Sequence, residues 1–124
     1  MYTLDTNAVI YLINDDERAA PILSDILADP ATPAYISVIT EGELFAYSRL
    51  TDSEIARIED FLKLVTIIPI DSRVVRLAGS LKAMYRMELG DSLVAATALL
   101  MRSTLLTRNV RDFKKIPQLS LQEI

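Results

Sequence analysis

Short β-branched or apolar runs alternate along this chain with longer segments whose apolar residues recur at helical spacing. That alternation limits the possible folds more than any other feature. The runs cover residues 2–4 (YTL), 34–39 (AYISVI), 66–70 (TIIPI), 104–107 (TLLT) and 119–121 (LSL). Between them, TNAVIYLI predicts a helix or helical turn, and Ile22, Leu23, Ile26 and Leu27 predict a helix over residues 17–28 that Pro30 and Pro33 end. TEGELFAYSRL is read as a helix. The next spans residues 51–65, capped by Asp52 or Ser53, with Ile55, Ile58, Leu62 and Val65 on one face. Val74, Leu77, Ala78, Leu81 and Tyr85 mark another helix, and GDSLVAATALLMRS is apolar nearly all round, so its helix must be buried. RNVRDFKKI is read as a loop with a short turn. Pro69 cannot donate to a sheet ladder and assigns its strand to an edge. The expectation is one α/β domain over residues 1–124, with a mostly parallel sheet covered by helices on both faces.

Composition then narrows the chemistry. The chain has no cysteine and no histidine. Disulfides, thiolate metal sites, a Ser-His-Asp triad and a histidine base are all excluded. Hydrolysis here must use carboxylates, hydroxyls, Lys, Arg or Tyr. No basic segment precedes the first apolar run, and no run is long enough to span a membrane, so the expectation is a soluble cytoplasmic protein with no membrane partner. The net charge of −4 opposes bulk attraction to nucleic acid, but it is unevenly spread. Residues 1–62 carry 3 basic and 12 acidic side chains, whereas residues 63–124 carry 10 basic and 5 acidic. Such a split allows an acidic pocket beside a basic rim, or merely an uneven surface.

The acids fall in costly places. Asp5 is the one carboxylate in MYTLDTNAVIYLI. Glu43 is placed in the first turn of the helix after the second strand, and Asp91 at the start of the buried helix. Asn109 and Asp112 follow the fourth strand. Ligands of parallel α/β sheets gather beyond the strand C-termini, where these acids can converge. Each also has a local alternative: Asp5 as an N-cap, Glu43 in a capping box with Thr40, Asp91 beside a helix dipole, Asp112 as a cap for FKKI. Clustered carboxylates repel one another unless a divalent cation sits among them. Hard oxygen ligands without His or Cys select Mg²⁺ or Mn²⁺, which activate water and stabilise a phosphodiester in reaction. Arg108, Arg111, Lys114 and Lys115 flank Asp112 and are read either as phosphate contacts or as a solvated basic turn. Tyr11, Tyr35, Tyr47 and Tyr85 are assigned mostly to core or rim packing rather than base stacking.

LDTN at the first strand end, SVITEGEL around Glu43, GDSLVAATA at Asp91 and LLTRNVRDF near the C-terminus together resemble the PIN domain, in particular the VapC-type toxin ribonucleases. The resemblance covers nearly the whole chain in order. It implies a three-layer α/β/α sandwich and Mg²⁺- or Mn²⁺-dependent endoribonuclease activity. It also implies an RNA substrate cut to 5′-phosphate and 3′-hydroxyl ends, a homodimer, and inhibition by a cognate antitoxin. Asp5, Glu43 and Asp91 match the three core acids, Thr6 and Asn7 the polar pair after the first, and Thr107 a hydroxyl near the site. Family members often carry an acid at the place of Asn109, of Asp112, or of both; here Asn109 is a neutral amide, and Asp112 is the candidate fourth ligand. A small residue is common a few positions beyond Glu43, where this chain has Tyr47 and Ser48.

Two other functions start from the same residues. An aspartyl-nucleophile phosphatase would use Asp5, but such enzymes usually have a second acid two positions on, where this chain has Asn7. A non-catalytic PIN-like interaction module would use the acids only as caps.

Overall fold

The computed structural model describes residues 1–46 and 49–124; Tyr47 and Ser48 lie outside the described residues. The elements run β1 (Tyr2–Leu4), α1 (Thr6–Ile13), α2 (Ala19–Ala28), β2 (Ala34–Ser37), α3 (Val38–Phe45) and α4 (Asp52–Leu62). Then come β3 (Thr66–Ile68), α5 (Ser72–Tyr85), α6 (Leu89–Leu100), β4 (Thr104–Thr107), α7 (Val110–Phe113) and β5 (Leu121–Glu123). The sheet order is β3-β2-β1-β4-β5 and every pairing is parallel. The chain winds outward from β1 through β2 to β3, then returns to lay β4 and β5 on the other side of β1. The winding direction reverses between β1 and β4, where a crevice opens at the strand C-termini. Leu4 stands opposite Leu106, so the residues just beyond, Asp5 and Thr107, meet at the mouth of that crevice.

The two-residue period of a strand divides the core. Leu105 packs with Val74, Ala78, Leu81 and the inner side of α6, while Leu4, Ile36 and Leu106 pack with Ala8, Val9, Leu23, Ile58 and Phe61. Helices α5 and α6 therefore cover one face and α1, α2 and α4 the other, the three-layer arrangement expected. Helix α6 is buried continuously from Ser92 to Ala98, as its unbroken apolar run requires. Its buried hydroxyls bond backward, Ser92 to the Glu88 carbonyl and Thr97 to the Leu93 carbonyl, each at 2.9 Å. Strand β3 lies at an edge, with Pro69 just past its end.

Several boundaries differ from expectation, each for a local reason. Strand β2 stops at Ser37, whose hydroxyl accepts the Ile39 amide and starts α3 two residues before Thr40. Val38 and Ile39 are helical despite their branching, so Glu43 lies toward the C-terminal end of α3, not in its first turn, and no box with Thr40 forms. Helix α4 is capped by Thr51 in a reciprocal box with Glu54, not by Asp52 or Ser53. Helix α2 begins at Ala19 because Asp16 accepts the Arg18 and Ala19 amides and keeps Glu17 outside the helix. Leu119 is drawn into the core against α5 and α6, and β5 forms only beyond it. Among the described residues, no helix is long and apolar enough to cross a membrane.

Candidate acidic active site

Asp5 has extended backbone geometry at the junction of β1 and α1, and its Oδ1 accepts the Ala8 amide at 2.7 Å. It is therefore the N-cap of α1. Its other oxygen, Oδ2, accepts the Thr107 hydroxyl at 2.5 Å. Asp5 is only 6% exposed. Burial raises its pKa above the ordinary carboxylate value; the bonds from Thr107 and Ala8 oppose that shift, and the charge of Glu43 adds to it.

Glu43 reaches the same place from α3. Its Oε1 accepts the Thr6 hydroxyl at 2.7 Å, and the buried Thr40 oxygen lies 3.2 Å from that of Thr6. The first helix thus steers the acid of the third. Asp91 arrives from the first turn of α6, half-buried. Its pKa is raised by burial first, then by the charges of Glu88, Asp5, Asp112 and Glu43. Three acids remote in sequence so feel one another across a single space, a cavity of about 290 Å³. Asp5, Thr6, Asn7, Glu43 and Asp91 line it over a floor of Ala46 and Val94.

Asp112 does not line that cavity. It stands in α7, where its Oδ2 accepts the Asn109 side-chain amide at 3.0 Å and its Oδ1 is 3.9 Å from Lys115 Nζ. With Asp91 it walls an adjoining cavity instead. Asn109 faces neither cavity. Its backbone N–H donates to Thr107 Oγ1 at 2.9 Å, so Thr107 takes one hydrogen bond from Asn109 and gives another to Asp5.

Of the four basic residues proposed for phosphate, Arg108 is committed elsewhere. Its guanidinium grips both oxygens of Asp16 at 2.8 and 3.2 Å, donates to the Ile124 carbonyl at 2.9 Å and lies 4.0 Å over the Tyr11 ring. This arrangement ties the end of β4 to the α1–α2 turn and does not face the acids. Arg111 and Lys114 are exposed and line neither cavity, whereas Lys115 stands beside Asp112. Tyr11 and Tyr85 pack at the margins of the two cores, and Tyr35 is half-buried with its hydroxyl 3.5 Å from the Met1 sulfur. The sequence reading missed Arg86 and Glu88 near Asp91. Glu88 was detectable, since a residue three before Asp91 at a helix start falls on the same side; nothing in the sequence pointed to Arg86.

The donor set suits a hard divalent cation. Its groups are carboxylates, a hydroxyl and an amide, with no nitrogen base or thiolate, and a cation would offset the burial and, secondarily, the mutual repulsion that raise Asp5 and Asp91. Among the described residues no trio of acids is drawn tightly enough, as it stands, to grip an ion. Glu43 is the adjustable member: exposed, on a long side chain and held by one hydroxyl.

Comparison with known proteins matches residues 2–119 to the PIN domain. The ribonuclease VapC19 of Mycobacterium tuberculosis is 31% identical over 96% of this chain and 97% of its own. A toxin–antitoxin complex from Klebsiella pneumoniae contains a chain 32% identical, with a TM-score of 0.81 and full coverage of both chains. VapBC2 of Rickettsia felis, solved bound to a DNA fragment from its promoter, superposes at a TM-score of 0.82 with 26% identity over 99% of this chain and 98% of that one. This chain belongs to the PIN domain family, among its VapC-type members.

Proposed function

We propose that this chain is an endoribonuclease, dependent on Mg²⁺ or Mn²⁺, that serves as the toxin of a toxin–antitoxin pair. The observation that carries the reading is the meeting of Asp5, Glu43 and Asp91 in one cavity at the switch point of the sheet, in a chain with no histidine to serve as base. Asp5, Glu43 and Asp91 would hold a divalent ion there, which would supply Lewis-acid chemistry for hydrolysis of a phosphodiester. The chain's own residues prepare that place. Thr107 and the Ala8 amide fix the two oxygens of Asp5, and Thr6 fixes one oxygen of Glu43. Asp91 comes from a helix too deeply packed to move, and Asn7 adds an exposed amide at the rim. Asp112 is one wall away and acts on Asp91 through its charge.

The partners of this reading are a cognate antitoxin protein, supported by the toxin–antitoxin complexes among the similar structures, together with an RNA substrate and a second copy of the chain. That Asp5 also caps α1 does not compete with this role, since each carboxylate oxygen accepts one hydrogen bond and keeps a further lone pair. The test is RNA cleavage by purified protein with Mg²⁺ and with EDTA, for wild type and Asp5→Asn. Wild type cuts only with Mg²⁺, and Asp5→Asn falls to the EDTA background while still melting cooperatively. Cleavage by Asp5→Asn at the wild-type rate would falsify the assignment.

A further inference from the structure

Beside the acid cavity lies a second of about 240 Å³, walled by Arg86, Met87, Glu88, Asp91, Asp112 and Lys115. Asp91 lines both and so forms part of the wall between them. Past Arg86 and Glu88 the surface continues into an open depression that Gly79 and Lys82 also line. Together these form a groove along the C-terminal end of α5, leading away from the acids. It carries three cations, Lys82, Arg86 and Lys115, against three anions, Glu88, Asp91 and Asp112. A divalent ion in the acid cavity would be offset by Asp5 and Glu43 there, so the sum stays near zero and attraction for a chain of phosphates is local to the three cations.

Arg86 is the informative residue. It ends α5 at φ 55° and ψ 52°, the left-handed conformation in which glycine costs least. An arginine stands there instead, as at Arg49 and Arg102; what sets Arg86 apart is that it lines both depressions beside Asp91. Its side chain is exposed, and among the described residues its guanidinium has no salt bridge and stacks on no ring. Arg108 shows what a structural arginine looks like in this fold, bound on every side. Lys82 is partly engaged, donating to the Met87 carbonyl at 3.2 Å and so holding the turn that presents Arg86. An uncommitted guanidinium therefore sits on a strained turn that leads directly into the helix of Asp91.

We infer that this groove binds the RNA backbone on one side of the scissile phosphate, with Arg86 and Lys115 contacting flanking phosphates and Lys82 extending the track. The inference rests on the endoribonuclease reading above. It assigns substrate contact to Arg86 and withdraws it from Arg108.

Steady-state cleavage of a short single-stranded RNA in Mg²⁺ tests it. Arg86→Gln raises KM roughly five- to tenfold with kcat within about twofold, and the slope of log kcat/KM against log salt shrinks by about 0.7, the share of one phosphate on a single strand. Arg86→Lys restores most of the loss. Arg86→Gly separates binding from folding: it relieves the left-handed backbone, so the protein melts higher while KM rises as in Arg86→Gln. An Arg86→Gln enzyme with wild-type KM and salt slope overturns the groove and leaves the endoribonuclease reading intact. Arg86→Gly that melts lower makes the residue structural and also overturns it. A wild type with no Mg²⁺-dependent cleavage overturns the reading, and the groove with it.

Discussion

Thr107 donates its hydroxyl to Oδ2 of Asp5 at 2.5 Å, joining the ends of β4 and β1 across the point where the sheet reverses its winding. The bond links residues 102 positions apart, and Thr107 Oγ1 in turn accepts the Asn109 backbone N–H. Its electrostatic effect favours the carboxylate form of Asp5 against burial.

Replacing Thr107 by valine keeps the volume and removes the donor. Asp5 Oδ2 and the Asn109 amide both lose their partner, at a cost of about 1–3 kcal/mol of stability. Thr107→Ser restores the hydroxyl and most of that loss. Denaturant unfolding of the metal-free protein at neutral pH measures it; a valine variant as stable as wild type means the bond does not hold Asp5 in solution.

The pH dependence has two opposing parts. Asp5 and Asp91 both have pKa values raised above 3.8, with burial the largest cause in each. A carboxyl whose folded pKa exceeds its unfolded one binds protons more tightly when folded, so its contribution is most favourable at low pH and declines as pH rises from the unfolded through the folded value. Asp16, held well below the ordinary range chiefly by its hydrogen bond from Arg108, does the reverse: its contribution is present above 3.8 and is lost as pH falls. Asp5→Asn isolates the first part. Asparagine caps a helix as well as aspartate does, and the Thr107 hydroxyl can turn its proton away to accept from the new amide. Metal-free Asp5→Asn should unfold at higher denaturant than wild type at pH 7 and lose that advantage near pH 4. An equal deficit at both pH values would mean that burial of the charge is not what costs.

The strand–helix alternation was legible: four strands fall within the β-branched or apolar runs assigned to them and the six longer helices overlap the segments read as helical, while β5 begins only at Leu121, the last residue of its expected run. β3 does lie at an edge, as read from Pro69, but the strand ends at Ile68 and Pro69 is not part of its ladder, so the proline is not what keeps it there. What could not be read was how a cap overrides branching: Ser37 pulls Val38 and Ile39 into α3 and shifts Glu43 along its helix. The place of Asp5 followed from the rule that parallel sheets gather ligands at their C-terminal edge; that of Asp91 did not, because α6 follows the helix α5 and not a strand. The fate of Arg108 did not follow either, because Tyr11 and Asp16 reach it through the β1–β4 pairing and Ile124 through the β4–β5 pairing, and only the folded sheet brings the three together.

That clamp yields a prediction opposite to a phosphate role. Arg108→Gln should lower the melting temperature while leaving the salt slope of RNA cleavage unchanged. Arg108→Lys should rescue little, since a lysine cannot grip both Asp16 oxygens, reach the Ile124 carbonyl and stack on Tyr11 at once. Asp16→Asn should reproduce the loss of stability and flatten the fall in stability on the acid side. Thermal melts across pH, paired with cleavage at varied salt, separate the two roles; a changed salt slope with an unchanged melt returns Arg108 to the substrate.

The contact between Thr6 and Glu43 bears on the metal itself. Glu43 is exposed, and its side chain is fixed at one oxygen by the Thr6 hydroxyl, whose oxygen lies 3.2 Å from that of Thr40. On the proposed reading, that bond keeps the carboxylate over the cavity rather than free in solvent. Partners that orient a ligand are typically worth 10- to 100-fold in metal affinity. Thr6→Val should therefore weaken Mn²⁺ binding by roughly tenfold, and Thr6→Ser by much less. Titration calorimetry on the protein without RNA reads this independently of cleavage. The fold should tolerate the change, because Thr40 can turn its hydroxyl elsewhere and Glu43 has water available. Equal Mn²⁺ affinity in Thr6→Val and wild type would show that Glu43 either is no ligand or needs no guide, and Glu43→Gln in the same titration tells which: no further loss removes Glu43 from the ligand set.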